Sequence, residues 1–92
     1  MQHKCNPGYQ SVLVQSYKAT TSNHRYPVEI RPIPGEVFPP HLLVECSEKM
    51  HTDYPVGTTF RICARVKDTE YDTPHLYSYH GWSFAVISLP QP

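Results

Sequence analysis

Between positions 58 and 66 the side chains alternate. Phe60, Ile62, Ala64 and Val66 fall on one side of a period of two, with Thr59, Arg61, Cys63 and Arg65 on the other. That is the pattern of a strand with one buried face. A polar stretch over 67–74, carrying Lys67, Asp68, Glu70 and Asp72, separates it from a second run at 75–79. In this run the more apolar assignment turns Leu76 inward and Tyr77 and Tyr79 outward. It ends at His80-Gly81-Trp82, where a glycine can take a positive φ without steric cost, and a third apolar run over 84–89 follows at once. The three runs predict an antiparallel meander.

The remainder of the chain reads as short elements separated by turn residues. Residues 1–10 are polar around Asn6-Pro7-Gly8 and predict a loosely held lead-in. Residues 11–17 predict a strand with Val12 and Val14 on one face and Leu13, Gln15 and Tyr17 on the other. Residues 25–30 predict another, with Tyr26, Val28 and Ile30 opposed to Arg25, Pro27 and Glu29; Pro27 cannot donate to a ladder and marks an edge or a strand start. Pro32, Pro34, Gly35, Pro39 and Pro40 exclude a helix over 31–40 and predict an extended connection pinned by Ile33, Val37 and Phe38. A short strand over 41–46 then leads into a helix over 47–53, with Ser47 as N-cap and Glu48 in the first turn. Tyr54-Pro55-Val56-Gly57 fits a type I turn, and Leu89-Pro90-Gln91-Pro92 is a non-helical stop.

These elements place the chain in the mainly β class. The expectation is a small curled antiparallel sheet, or an SH3-like or OB-like barrel, of about five to six strands with one short helix. Closure of the sheet would remove exposed edges. The naming is architectural and carries no function with it. With 92 residues the chain has material for a single domain spanning 1–92 and one core.

Charge and cysteine content narrow the function classes. Eight basic and eight acidic side chains cancel, and neither half of the chain carries a charged arm or tail. Three cysteines, Cys5, Cys46 and Cys63, form an odd set and read as reduced thiols rather than a disulfide framework. The first residues lack an apolar leader, and no apolar run approaches the roughly 20 residues that a membrane helix needs. The expectation is a cytoplasmic protein without membrane association.

Three constellations of side chains could carry chemistry. For metal, six histidines and three cysteines show no paired zinc spacing; the nearest are His3-x-Cys5 and Cys46-x4-His51, and no metal or other cofactor is expected. For nucleophilic catalysis, Cys63 can be assembled with His75 or His80 and with Asp68 or Asp72, flanked by Arg61 and Arg65, whose charges would favour a thiolate. No motif supports that assembly, and any chain with six histidines offers such pairings. The protein is therefore expected not to be an enzyme, and a small Cys/His-dependent enzyme is the third reading. The acidic residues of the 67–74 loop are expected to be solvated rather than tuned for proton transfer.

The remaining constellation is an outward face of Arg61, Arg65, Tyr77 and Tyr79, with Trp82 beside it. Arginine and aromatic residues are enriched where proteins meet. Single-stranded nucleic-acid binders use the same side chains to stack bases and hold phosphates, but usually with an excess of positive charge that this chain lacks. A plain structural role also exists, since cross-strand Tyr and Arg pairs stabilise a sheet by roughly 0.2–1 kcal/mol each. Trp82 is either a ligand platform or a lid folded over the core. The expectation is a non-catalytic binding or assembly module. Its partner would be another protein or a second copy, with a single-stranded nucleic acid as the alternative.

Overall fold

A computed structural model of the chain describes residues 5–19, 27–68 and 74–90. Its elements are β1 (Gln10–Lys18), β2 (Val28–Pro32), β3 (Val44–Glu45), α1 (Lys49–Thr52), β4 (Thr59–Lys67), β5 (His75–Tyr77) and β6 (Ala85–Ser88). The two nine-residue strands pair antiparallel at the centre, with Gln10 opposite Ala64 and Gln15 opposite Thr59. β2 flanks β1, and β5 and β6 both lie antiparallel to β4. β3 adds in parallel to β5, so the hydrogen-bonded order is β2-β1-β4-β5-β3 with β6 also on β4.

The alternation seen in the sequence selects the core. β1 turns Val12, Val14 and Ser16 inward, β4 turns Phe60, Ile62 and Ala64 inward, and Ile30, Val44, Met50 and Leu76 close over them. Phe60 anchors an edge-to-face trio with Tyr54 and Phe84, at centroid distances of 5.2 and 5.5 Å. Such arrangements add about 0.5–1.5 kcal/mol per pair beyond area burial. Leu76 is buried and Ser78 with it, while Tyr77 is half-buried and Tyr79 exposed, so the second run has the facing expected of it.

The six strands make a curled open sheet and not a closed barrel. β2 and β3 approach one another at the two ends of the order without pairing. β3 offers only two residues, and β2 follows Pro27 and ends on Pro32, so neither presents a ladder long enough to close the sheet. The meander is also absent, because β5 and β6 do not pair with each other. β5 lies against residues 65–67 and β6 against 59–61, two pieces laid along β4 with an excursion over 78–84 between them. Gly81 accordingly is not among the glycines of positive φ. Its need for a hydrogen side chain is different: a Cβ there would stand 2.5 Å from the Tyr79 ring.

Smaller departures have local causes. Val66 is 42% exposed, because the ladder from β1 stops at Ala64 and leaves the last residues of β4 covered on one edge only. The third apolar run contributes Phe84 to the core, but Val86, Ile87 and Leu89 face out, and an irregularity in the register leaves Ile87 unpaired against Thr59 and Phe60. The helix is confined to Lys49–Thr52, so its N-cap is Glu48, without a side-chain cap, rather than Ser47, and no acid lies in its first turn; Ser47 stands one residue earlier, its Oγ accepting from the Lys49 N–H at 3.3 Å and its carbonyl from the Met50 N–H at 3.1 Å. Arg25 and Tyr26 of the second expected strand, the loop acids Glu70 and Asp72, and His3 lie outside the described residues.

The cysteine reading is overturned. Cys5 and Cys63 form a disulfide, and Cys46 is the free thiol among the described residues. Parity is a weak guide because pairing depends on approach in space. Here the chain before β1 turns back on itself, with the Tyr9 N–H donating to the Asn6 carbonyl at 3.0 Å and Gly8 at φ 88°, which carries Cys5 onto β4. From Cys5 onward the lead-in is thus anchored rather than loose. In the chain-entropy account, bridging residues 58 apart stabilises the fold by roughly 4 kcal/mol.

The division between covered and uncovered positions on β4 can be checked by urea denaturation. Phe60→Ala should lower stability by about 3–5 kcal/mol, whereas Val66→Ala, on the same side of the alternation, should stay within about 0.5 kcal/mol of the parent. Equal losses would mean that Val66 is a core residue.

Candidate functional site

The outward side of β4 and β5 carries a connected run of rings and cations. Register places Arg65 directly opposite Tyr77. The Arg65 guanidinium stands 5.6 Å from the centroid of the Tyr77 ring and 5.7 Å from that of Tyr9. Its Nε donates to the Tyr9 hydroxyl at 3.2 Å. Tyr9 in turn meets Trp82 edge to face at 4.8 Å, and Trp82 meets Tyr79 at 5.8 Å. On the far side of Tyr77, the Lys67 ammonium lies 5.0 Å from its ring and 4.0 Å from a Glu45 oxygen, with His75 Nε2 3.8 Å from the other. A run from Tyr79 through Trp82, Tyr9, Arg65, Tyr77 and Lys67 to Glu45 results.

Four of the five residues singled out in the sequence, Arg65, Tyr77, Tyr79 and Trp82, belong to this run. Arg61 does not. It shares the face, but its Nη1 donates to Ser11 Oγ at 3.0 Å, and it serves to tie β1 to β4. Trp82 neither covers the core nor stands free; it is half-buried between two tyrosines on the outer side of the sheet. Tyr9, Lys67 and Glu45 were not legible as members. Lys67 and Glu45 belong through the pairing of β4 and β3 with β5, and Tyr9 through the reversal that the Cys5–Cys63 bond fixes.

Energetically the run is weak in each part and open to replacement. Exposed cation–π contacts are worth about 0.5–1 kcal/mol and exposed ion pairs about 0–1 kcal/mol. Arg65 is exposed, and Tyr79 keeps 44% of its surface. A partner can exchange these contacts for its own with little loss. At the Glu45 end the face adjoins a cleft of about 430 Å³ with Leu42, Leu43, Val44 and Pro74 in its walls and His41 and His75 at its polar side.

The candidate nucleophile Cys63 and the metal-spaced pair Cys46 and His51 fare differently. Cys63 is spent in the disulfide and offers no thiolate while oxidised. Cys46 and His51, the spaced pair, do come together, with Sγ 3.9 Å from Nε2 and His51 Nδ1 2.8 Å from the Val28 carbonyl. If Nδ1 carries the proton and donates it to that carbonyl, Nε2 is left as an acceptor toward the thiol. Burial pushes the Cys46 thiol up to about 12, and the nearby carboxylates Glu29 and Glu45 push it the same way. That is the opposite of activation. Among the described residues no group of three or more His, Cys, Asp or Glu side chains is placed to share a metal ion.

Among the described residues no helix is long and apolar enough to cross a membrane. Comparison with protein-family models, curated proteins and solved structures finds no match to this chain.

The Cys46 environment makes two measurable statements. At pH 8 the thiol of the folded protein should alkylate with iodoacetamide at least roughly a hundredfold more slowly than that of the urea-unfolded chain. Comparable rates would show an open thiol. Because the thiol titrates near 9.0 when exposed and near 12 when folded, the folded state retains a proton that the unfolded state has released. This contribution to stability is full below pH 9 and declines as pH rises toward 12. Cys46→Ser should flatten that part of the stability profile.

Proposed function

We propose that this chain is a non-catalytic binding or assembly module that works through the face of Arg65, Tyr77, Tyr79 and Trp82. The observation that supports this reading most is the gathering of rings and cations on the outer side of the sheet, Tyr79 with Trp82 and Arg65 with Tyr77 and Lys67. A sheet needs no such surface for its own packing, since the core is filled from the other side by Val12, Val14, Phe60, Ile62 and Leu76. Flat rings and a planar guanidinium offer large contact area with few rotatable bonds to immobilise, which suits them to recognition of another protein segment. A second copy of the chain is the partner considered first, because a net charge of zero leaves copies without mutual repulsion.

Light scattering over a concentration series, with Arg65→Ala and Tyr79→Ala beside the parent protein, tests the reading. Under reducing conditions the parent is expected to shift toward a mass of two subunits as concentration rises, and each substitution to move that shift to at least tenfold higher concentration. A parent that stays at one subunit and binds a short single-stranded oligonucleotide, with binding lost in Arg65→Ala, would replace this reading with the nucleic-acid one. Association unaffected by either substitution would move the contact off this face.

A further inference from the structure

The proposed working face already has an occupant, and it belongs to the same chain. The residues before β1 fold back through the Asn6–Tyr9 turn and are joined to the face at Cys63, which lies on β4 between Arg61 and Arg65. Tyr9 is thereby brought where a partner's aromatic side chain would sit, its ring beside Trp82 and its hydroxyl on Arg65. We infer that the Cys5–Cys63 disulfide is a redox latch that holds the lead-in over this face, and that a dithiol reductant opens the face to a partner. The inference rests on the reading of that face as the working surface.

Three features carry it. The bond is a covalent hold on the described part of the lead-in, while the contacts of Tyr9 with the face are individually weak: a hydrogen bond at 3.2 Å, an edge-to-face ring contact and the Arg65 guanidinium 5.7 Å from its ring. Both cysteines are only half-buried, so a reductant can approach. The sheet has its own means of cohesion, since the pairing of β1 with β4 begins at Gln10, after the lead-in ends. Release of residues 5–9 therefore takes no residue out of any strand pair, although the fold loses the stabilisation that the bond supplies. The third cysteine does not interfere, because Cys46 is held away in its site beside His51.

The chemistry balances in two steps. A thiolate of the dithiol attacks one sulfur of Cys5–Cys63, forming a mixed disulfide and releasing the other cysteine as a thiolate that takes up a proton. The second thiol of the reductant, giving up its proton, then displaces the remaining cysteine. Two electrons and two protons pass to Cys5 and Cys63, and the reductant leaves as a disulfide.

Trp82 is the chain's single tryptophan and lies against Tyr9, so its fluorescence reports the latch directly. Dithiothreitol is expected to raise acrylamide quenching of Trp82 at least twofold while the far-ultraviolet dichroism of the sheet is unchanged. Cys5→Ser should give the same increase without reductant, and Tyr9→Ala should give it with the disulfide intact. Quenching that does not change on reduction would overturn the latch, as would loss of the sheet on reduction, which would make the bond structural. Light scattering on the same samples separates this inference from the reading beneath it. If Trp82 opens and the reduced protein associates, both stand. If Trp82 opens but the mass stays at one subunit, the latch stands and the assembly reading falls. If Tyr9→Ala associates while reduction leaves Trp82 covered, the latch falls and the working face stands.

Discussion

The fold depends on one strand having neighbours along its whole length. β4 pairs with β1 through its first six residues and with β5 through its last three, and β6 lies against its start. Strong alternation makes this possible. With Phe60, Ile62 and Ala64 on one side and Arg61, Cys63 and Arg65 on the other, a slip of one residue would bury two arginines, displace the disulfide and expose three core residues. That penalty fixes the register of β4, and register then decides which residues meet on the outer face. Arg65 lies across from Tyr77 because Leu76 must point inward.

The outer face inherits a different kind of order. Nothing on it is buried deeply enough for any single contact to dominate, and its geometry comes from the sheet beneath and from one covalent bond. The Cys5–Cys63 disulfide turns a polar lead-in into part of the surface and sets Tyr9 between Arg65 and Trp82. At the opposite extreme is the Cys46–His51 pair, where a thiol and an imidazole stand near each other under cover. Proximity without solvation keeps that thiol protonated, which separates it from the exposed, electropositive setting that makes cysteines reactive.

Legibility in the sequence followed the number of neighbours that each residue answers to. The faces of β1 and β4 were readable because burial against a core imposes a period of two that needs no knowledge of topology. Leu76 inward and Tyr77 and Tyr79 outward followed from the same rule. Val66 broke it, since its burial depended on where the β1 ladder stops, and that is set by the length of another strand. The expected meander through Gly81 failed for a related reason. A glycine between two apolar runs marks a bend, but whether the runs pair with each other or both with a third strand is a matter of competition for the edge of β4.

The sequence by itself determined the mainly β class, the alternation of the two long strands and four members of the aromatic and cationic face. These are local consequences of side-chain size, polarity and backbone preference, and they hold whichever partner a strand finds. Only the tertiary structure decided that the sheet stays open, that Cys5 bonds to Cys63 while Cys46 meets His51, that Arg61 turns to Ser11, and that Tyr9 lies on the face. Each of these joins groups from separate elements. Their meeting is fixed by the free energy of the whole packed chain, which no single stretch of residues carries.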